Sequence, residues 1–154
     1  IGENLYLVYD GNYGLLDKEG NVLLPIEYDN IEFWSDSTVL VEKGSAFKVV
    51  DVYSQKIYHE FNSYKTLRNG DQKIIQVLSD DGIGILSNAF GMILKPNYDE
   101  IRMIDYDNKI YFNGRQSIEE AKLLVNLFVD DQGKIIINQA LNLDMEANFS
   151  CKLN

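Results

Sequence analysis

Short runs of alternating apolar and polar residues, separated by glycine and Asp/Asn clusters, cover most of the chain. The stretch "GLLDKEGNVLL" shows two β-rich runs joined by a polar turn, with Gly20 where a positive φ is expected. Pro25 has no N–H to donate, so it should end this ladder before "YDNI" leads to a third run, "STVLVEKG". The pattern therefore predicts β-hairpins followed by a third short strand.

This pattern occurs more than once. Residues 13–31 and 83–101 are similar throughout, and both the pair Gly14 and Gly84 and the pair Tyr28 and Tyr98 are 70 residues apart. Because 70 is twice 35, a weaker copy is expected between them, and the segment around Tyr64 supplies it. A fourth copy is indicated by "LFVDDQGKIIIN". A period near 35 residues is typical of a repeat array.

We therefore predict one repeat domain over residues 1–154, all-β, with about three strands in each unit. The predicted units are approximately 1–12 (the tail of a preceding unit), 13–45, 46–82, 83–120 with a helical insertion, and 121–154 as a degenerate unit or C-terminal cap. Eight residues are predicted to have structural roles in turns and packing: Gly14, Gly20, Pro25, Tyr28, Gly84, Gly91, Pro96 and Tyr98. The period does not decide between a solenoid, an incomplete propeller and one twisted sheet.

One segment departs from the β pattern. In "RQSIEEAKLLV", Ser117 precedes Glu120 by three residues, as in a capping box, and Ile118, Ala121 and Val125 follow at helical spacing. The sequence thus predicts one short α-helix near residues 117–125, which would cover an open sheet edge.

Composition narrows the classes of partner. The net charge of −10 and a pI near 4.5 disfavour nucleic acid and anionic membrane surfaces, which require Lys and Arg. No apolar run reaches the roughly 18 residues of a membrane span, so no membrane insertion is expected. The chain opens without Met or an apolar leader, and we expect it to be a fragment of a longer protein.

The segment at residues 13–31, and more loosely that at 83–101, resembles the WG-repeat proteins, which are bacterial tandem β-repeats named for an aromatic–Gly pair. Here that pair is Tyr13–Gly14 and Ile83–Gly84, with Phe47–Lys48 in the weaker copy. The resemblance covers roughly residues 5–104. It implies a binding or spacing element of a larger bacterial protein, with an envelope or secreted location favoured over a cytoplasmic one, and with no shared catalytic residues.

No catalytic constellation is recognisable. His59, the single histidine, lies in the strand-like stretch "KIYHEF", and no nucleophile signature accompanies it. Cys151, the single cysteine, alternates with Phe149 and Leu153 as on a buried strand face. We therefore expect no enzyme activity and no cofactor.

The acidic residues are interpreted as turn residues. Asp17, Asp29, Asp99, Asp130 and Asp131 fall at positions where side-chain bonds to the backbone explain them. The stretches beginning at Asp105 and at Asp130 fail the calcium-loop pattern, so no metal site is predicted, although a calcium-stabilised adhesion repeat stays an alternative.

Trp34 is the candidate binding residue. It follows Phe33 directly, and adjacent residues of a strand point to opposite faces. An exposed Trp34 beside Asp36 would be a suitable anchor for another protein or for a glycan, whereas a buried one would pack against the neighbouring unit. We expect a non-enzymatic binding, scaffolding or spacer module, with a carbohydrate-binding or carbohydrate-active surface domain as the alternative.

Overall fold

The chain forms four antiparallel sheets that follow one another along the sequence. The computed structural model describes residues 4–142, which contain 15 β-strands. The first sheet consists of β1 (Leu5–Tyr9), β2 (Tyr13–Asp17) and β3 (Val22–Tyr28). The second consists of β4 (Asn30–Ser35), β5 (Thr38–Lys43), β6 (Ala46–Asp51) and β7 (Ile57–Phe61). The third consists of β8 (Ser63–Asn69), β9 (Lys73–Ser79), β10 (Gly82–Ser87) and β11 (Gly91–Tyr98). The fourth consists of β12 (Glu100–Tyr106), β13 (Lys109–Ile118), β14 (Leu123–Asp130) and β15 (Ile135–Asn142).

Every sheet is a simple meander, in which each strand pairs with the one before it. A single residue separates the last strand of one sheet from the first strand of the next: Asp29, Asn62 and Asp99. The backbone N–H of each of these crossover residues donates to a carbonyl in the second strand of the following sheet, at Glu42, Leu78 and Arg115. Consecutive sheets are thus joined both covalently and by a repeated hydrogen bond.

The hydrophobic core lies between the sheets. Three clusters of buried side chains fill the first, second and third junctions, and each draws residues from both sheets that it separates. Leu15 and Val39 belong to the first cluster, Val49 and Ile75 to the second, and Ile85 and Phe112 to the third. Because the sheets are separate and stacked, the alternative of one twisted sheet is wrong, and the prediction of an all-β array is confirmed.

The repeat in the sequence is offset from the sheets by two strands. Residues 13–45 contain β2 and β3 of the first sheet and then β4 and β5 of the second. One unit therefore has four strands rather than the three predicted, because the pattern did not separate β4 from the stretch that precedes it. The unit is centred on the crossover, so each unit helps to build two sheets.

The weaker copy aligns differently from the sequence prediction. Tyr28 and Tyr98 are the last residues before their crossovers, and the residue at that position in the middle copy is Phe61. Tyr64, which the spacing had matched with Tyr28, lies three residues later at the position of Ile31. The aromatic side chain before the crossover is thus kept in all three copies.

The α-helix predicted near residues 117–125 is wrong. Ser117 and Ile118 end β13, a 3₁₀ turn covers Glu119–Ala121, and β14 begins at Leu123. Ser117 pairs with Leu124 and Ile118 with Leu123, so the segment is a hairpin. A two-turn helix is marginal by itself, whereas the hairpin gives the backbone groups of this segment partners across two long strands. Within residues 4–142 no helix is long and apolar enough to cross a bilayer.

Candidate functional site

The residues that define the repeat have structural roles. Gly14 and Gly84 each lie opposite a bulge in the following strand, at Pro25–Ile26 and at Pro96 respectively. A Cβ on Gly14 would lie 2.7 Å from Cγ1 of Ile26, and one on Gly84 would lie 2.5 Å from the carbonyl oxygen of Leu94. The prediction that Pro25 ends the ladder is therefore wrong: Pro25 and Pro96 lie in bulges that only interrupt it, and β3 and β11 continue up to Tyr28 and Tyr98.

The middle copy shows why glycine accompanies proline. Lys48 lies at the position of Gly14, and its opposite strand has no proline. There the ladder is regular from Phe47 to Val49, and Lys48 pairs directly with Glu60. Without a bulge pressing on it, this position accepts a long side chain.

Four of the five predicted turn acids, Asp17, Asp29, Asp99 and Asp130, bind the backbone as predicted. The carboxylates of Asp17 and Asp130 each accept hydrogen bonds from N–H groups two and four residues later, at 2.8–2.9 Å. Those of Asp29 and Asp99 accept from the N–H groups of Gly44 and Ser117 in the next sheet. These hydrogen bonds hold the carboxylates in structural roles, and the pKa of the Asp17 carboxyl lies below its usual value chiefly because of the Asn21 side chain.

Trp34 is buried, with 6% of its surface exposed, in the junction between the second and third sheets. Phe33 points the other way and packs against the cluster between the first and second sheets. The expectation of opposite faces is therefore confirmed, but both faces of this strand are covered, so Trp34 packs against the neighbouring unit. Asp36 is exposed in the turn after β4.

A cleft of about 330 Å³ opens beside Trp34, between β4 of the second sheet and β8 and β9 of the third. We call it the Trp34 cleft. Buried apolar side chains form its floor, and Glu32, Thr66 and Asn69 are exposed at its rim. Its lining residues are Ile31, Glu32, Phe33, Trp34, Leu40, Tyr64, Thr66, Asn69, Lys73 and Ile75. Asp36 does not line it, so the structure does not bring the two predicted binding residues together in one site.

Two polar side chains of the third sheet fix the edge of β4 at this cleft. Nζ of Lys73 donates to the carbonyl oxygen of Phe33 at 2.7 Å, and Nδ2 of Asn88 donates to that of Trp34 at 3.1 Å. These bonds occupy edge carbonyls that would otherwise invite strand pairing. Sequence reasoning missed both residues, because neither has a partner nearby in the sequence.

The electrostatics of the cleft are mixed. Burial raises the pKa of the Tyr64 hydroxyl, and the carboxylates of Glu32 and Glu42 raise it further. Lys73 also lines the cleft, and its ammonium is held at the carbonyl oxygen of Phe33. The cleft thus offers an acidic rim beside a fixed cation.

A salt bridge joins β8 and β12, the first strands of the third and fourth sheets. The equivalent pair of strands beside the Trp34 cleft is β4 and β8. Arg68 of β8 and Asp105 of β12 approach to 4.0 Å. The residue of β4 that corresponds to Asp105 of β12 is Ser35, which carries no charge. Arg68 therefore has no carboxylate at the corresponding position of β4.

Other candidate residues lie apart from the cleft. His59 is in β7, opposite Val49, and partial burial lowers its pKa. The stretch from Asp105 forms the β12–β13 hairpin, with Asp107 and Asn108 both at positive φ in its turn. Within residues 4–142 no three His, Cys, Asp or Glu side chains gather into a metal-binding group. Cys151 and the strand face predicted around it lie outside the described residues.

Comparison with known proteins adds one finding. No curated protein matches the chain. Residues 13–45 match the family model described as WG containing repeat, and these are the residues that run from β2 through the crossover to the end of β5. The resemblance predicted from Tyr13–Gly14 and the residues after it is therefore confirmed, and the chain carries a segment similar to the WG containing repeat.

Proposed function

We propose that the chain is a non-enzymatic binding or scaffolding module of a larger bacterial protein, and that it holds a segment of a partner protein in the Trp34 cleft. The repeat match supports a module built from β-units. The observation that carries the binding role is the cleft itself, which combines an apolar floor with a polar, accessible rim.

The size of the cleft limits its occupant. About 330 Å³ is at the lower end of the range of ligand pockets, which suits one large side chain or one sugar ring rather than an extended ligand. The floor residues Trp34, Leu40 and Ile75 are buried and apolar, so they favour an apolar or aromatic side chain. Such a side chain inserted into a closed pocket is the usual anchor of a protein interface.

Charge favours a basic partner. The chain carries a net charge of −10, and Glu32 is exposed at the cleft rim. Opposite charges at the rim accelerate association and orient the partner more than they add affinity. The proposed ligand is therefore a segment with an apolar or aromatic anchor next to Lys or Arg.

A glycan is the second candidate, and the rim supports it. Glu32, Thr66 and Asn69 provide hydrogen-bond acceptors and donors for sugar hydroxyls, and Tyr64 provides an aromatic surface at the same opening. A monosaccharide unit matches the cleft volume as well as a side chain does.

The test compares two arginine substitutions at equivalent positions. Thr66→Arg places a long side chain at the rim of the cleft, whereas Met103→Arg places the same side chain at the corresponding position of β12. Wild type and both variants are used for affinity capture, and binding of each retained protein or glycan is then titrated with purified components. We expect saturable binding that Thr66→Arg abolishes and Met103→Arg preserves. Equal binding by all three would exclude the cleft, and no saturable ligand would favour a passive spacer.

A further inference from the structure

The chain contains two Asn–Gly pairs, and the fold places them in opposite settings. Asn69–Gly70 lies at the turn between β8 and β9, where both residues are exposed. Asn113–Gly114 lies in the middle of β13, where Asn113 is 6% exposed and Gly114 is in the ladder between β12 and β14. The same dipeptide is thus accessible in the third sheet and enclosed in the fourth.

An asparagine followed by glycine can react with its own backbone. The glycine nitrogen attacks Cγ of the asparagine side chain, forms a C–N bond and gives up its proton to the side-chain nitrogen, which leaves as ammonia. Water then adds to one carbonyl of the resulting cyclic imide and opens the ring to aspartate or isoaspartate. Because glycine has no Cβ, nothing crowds the attacking nitrogen and the backbone turns easily into the required geometry.

Hydrogen bonds hold the side chain of Asn113 in place. Its Nδ2 donates to Oδ1 of Asn126 at 2.7 Å and to the carbonyl oxygen of Leu127 at 3.2 Å. Asn113 must break both bonds, and Gly114 must leave the ladder, before the glycine nitrogen can reach Cγ. Within residues 4–142, by contrast, no hydrogen bond holds the side chain of Asn69.

Two further asparagines that precede a small residue are also held. Nδ2 of Asn62 donates to Oδ1 of Asp80 at 2.8 Å. Nδ2 of Asn88 donates to the carbonyl oxygen of Trp34 at 3.1 Å. Asn69 therefore combines three properties that these asparagines do not share: an exposed position, a glycine after it and a side chain that is not held.

We propose that Asn69 is a site of spontaneous deamidation in the folded protein, and that this modification places a carboxylate at the rim of the Trp34 cleft. Asn69 lines that cleft together with Lys73, its direct partner across the hairpin. The new carboxylate lies opposite the ammonium that holds the carbonyl oxygen of Phe33, and opposite charges at such paired positions attract. The rim, which already carries Glu32, gains one negative charge. The reaction does not depend on the function proposed for the cleft.

The test follows both Asn–Gly pairs in the same sample. The full chain is incubated at mildly alkaline pH below its melting temperature, and a parallel sample is incubated in guanidinium chloride at a denaturing concentration. Peptide mass spectrometry measures conversion at Asn69 and at Asn113 and separates aspartate from isoaspartate. Gly70→Ala is the matched variant, because its added Cβ meets no atom within 4 Å and the φ of Gly70 is not positive, so the fold is kept.

In the folded chain we expect Asn69 to convert at least about tenfold faster than Asn113, because Asn113 reacts only after local opening of the sheet. In guanidinium chloride the two rates should become similar, since the residue that follows is glycine in both pairs. Gly70→Ala should slow the conversion of Asn69 several-fold, because the new Cβ crowds the attacking nitrogen. Conversion of Asn69 no faster than that of Asn113 in the folded chain would overturn the proposal. An unchanged rate in Gly70→Ala would overturn the attack by the backbone nitrogen.

Discussion

The carboxylate of Asp29 accepts a hydrogen bond from the backbone N–H of Gly44 at 2.8 Å, across the boundary between two sheets. The N–H of Asp29 itself donates to the carbonyl oxygen of Glu42 at 2.8 Å. Asp99 makes the same two bonds two repeats later, with the N–H of Ser117 and the carbonyl oxygen of Arg115. A single residue therefore fixes both the exit from one sheet and the first hairpin of the next.

Asp29→Ala should lower the free energy of unfolding by about 1–2 kcal/mol, because it removes a charge-assisted hydrogen bond while the N–H of Gly44 stays in place. Asp29→Asn keeps one acceptor oxygen and should lose less. Urea denaturation of both variants beside Asp36→Ala, an exposed turn control, measures the effect. A loss no larger than that of the control would show that the crossover is held by the backbone bond alone.

Local patterns predicted the strands, the turn glycines and the backbone-binding carboxylates, because each depends on residues close in sequence. Alternation of apolar and polar residues does not show which strands share a sheet. The boundary between the first and second sheets at Asp29 was therefore missed, and three strands were predicted in each unit. The spacing of Ile118, Ala121 and Val125 fits a helix, but the segment instead pairs across the long β13–β14 hairpin, which the helical spacing does not reveal. The Trp34 cleft could not be predicted from the sequence, because Lys73 and Asn88 contact β4 from the next sheet and lie far from it along the chain.

Trp34→Ala should destabilise the fold by about 3–5 kcal/mol, because it removes a buried aromatic side chain and leaves a cavity between two sheets. Thermal and urea unfolding would measure the loss, with Tyr53→Ala as a control at an exposed aromatic residue. Trp34 is the single tryptophan, so its fluorescence reports the same site. Strong quenching of native Trp34 by acrylamide would contradict the buried position.

Stability should fall in acid, and Asp51 contributes to this dependence. Its carboxylate accepts hydrogen bonds from the N–H groups of Tyr53 and Ser54 and from the hydroxyl of Ser37. The N–H of Ser54, followed by the Ser37 hydroxyl, lowers the pKa of Asp51 below its ordinary 3.8. Because the unfolded chain binds the proton first, the stabilisation is complete above 3.8 and is lost as the pH falls through the lower pKa of the folded state.

The melting temperature of wild type should therefore drop between about pH 5 and pH 3, where unfolded carboxyls take up protons. Asp51→Asn should melt lower than wild type at pH 7 and should show a shallower fall toward pH 3. Asp36→Asn removes the same charge from an exposed turn and serves as the control. Parallel curves for wild type and Asp51→Asn would mean that Asp51 is not part of the acid response.

Gly84→Ala tests the fit between the repeat glycine and the bulge that faces it. The new Cβ would lie 2.5 Å from the carbonyl oxygen of Leu94 and 2.7 Å from the backbone nitrogen of Pro96, so β10 and β11 must move apart. We expect a loss of about 1–3 kcal/mol in the free energy of unfolding, the usual cost of overpacking. Gly70→Ala is the matched control, since nothing lies within 4 Å of its added Cβ and its φ is not positive, and it should change stability by no more than about 0.5 kcal/mol. Equal denaturation midpoints for the two variants would show that β11 moves away from the added Cβ at little cost. Close approach of the backbone would then not explain why the repeat has glycine at this position.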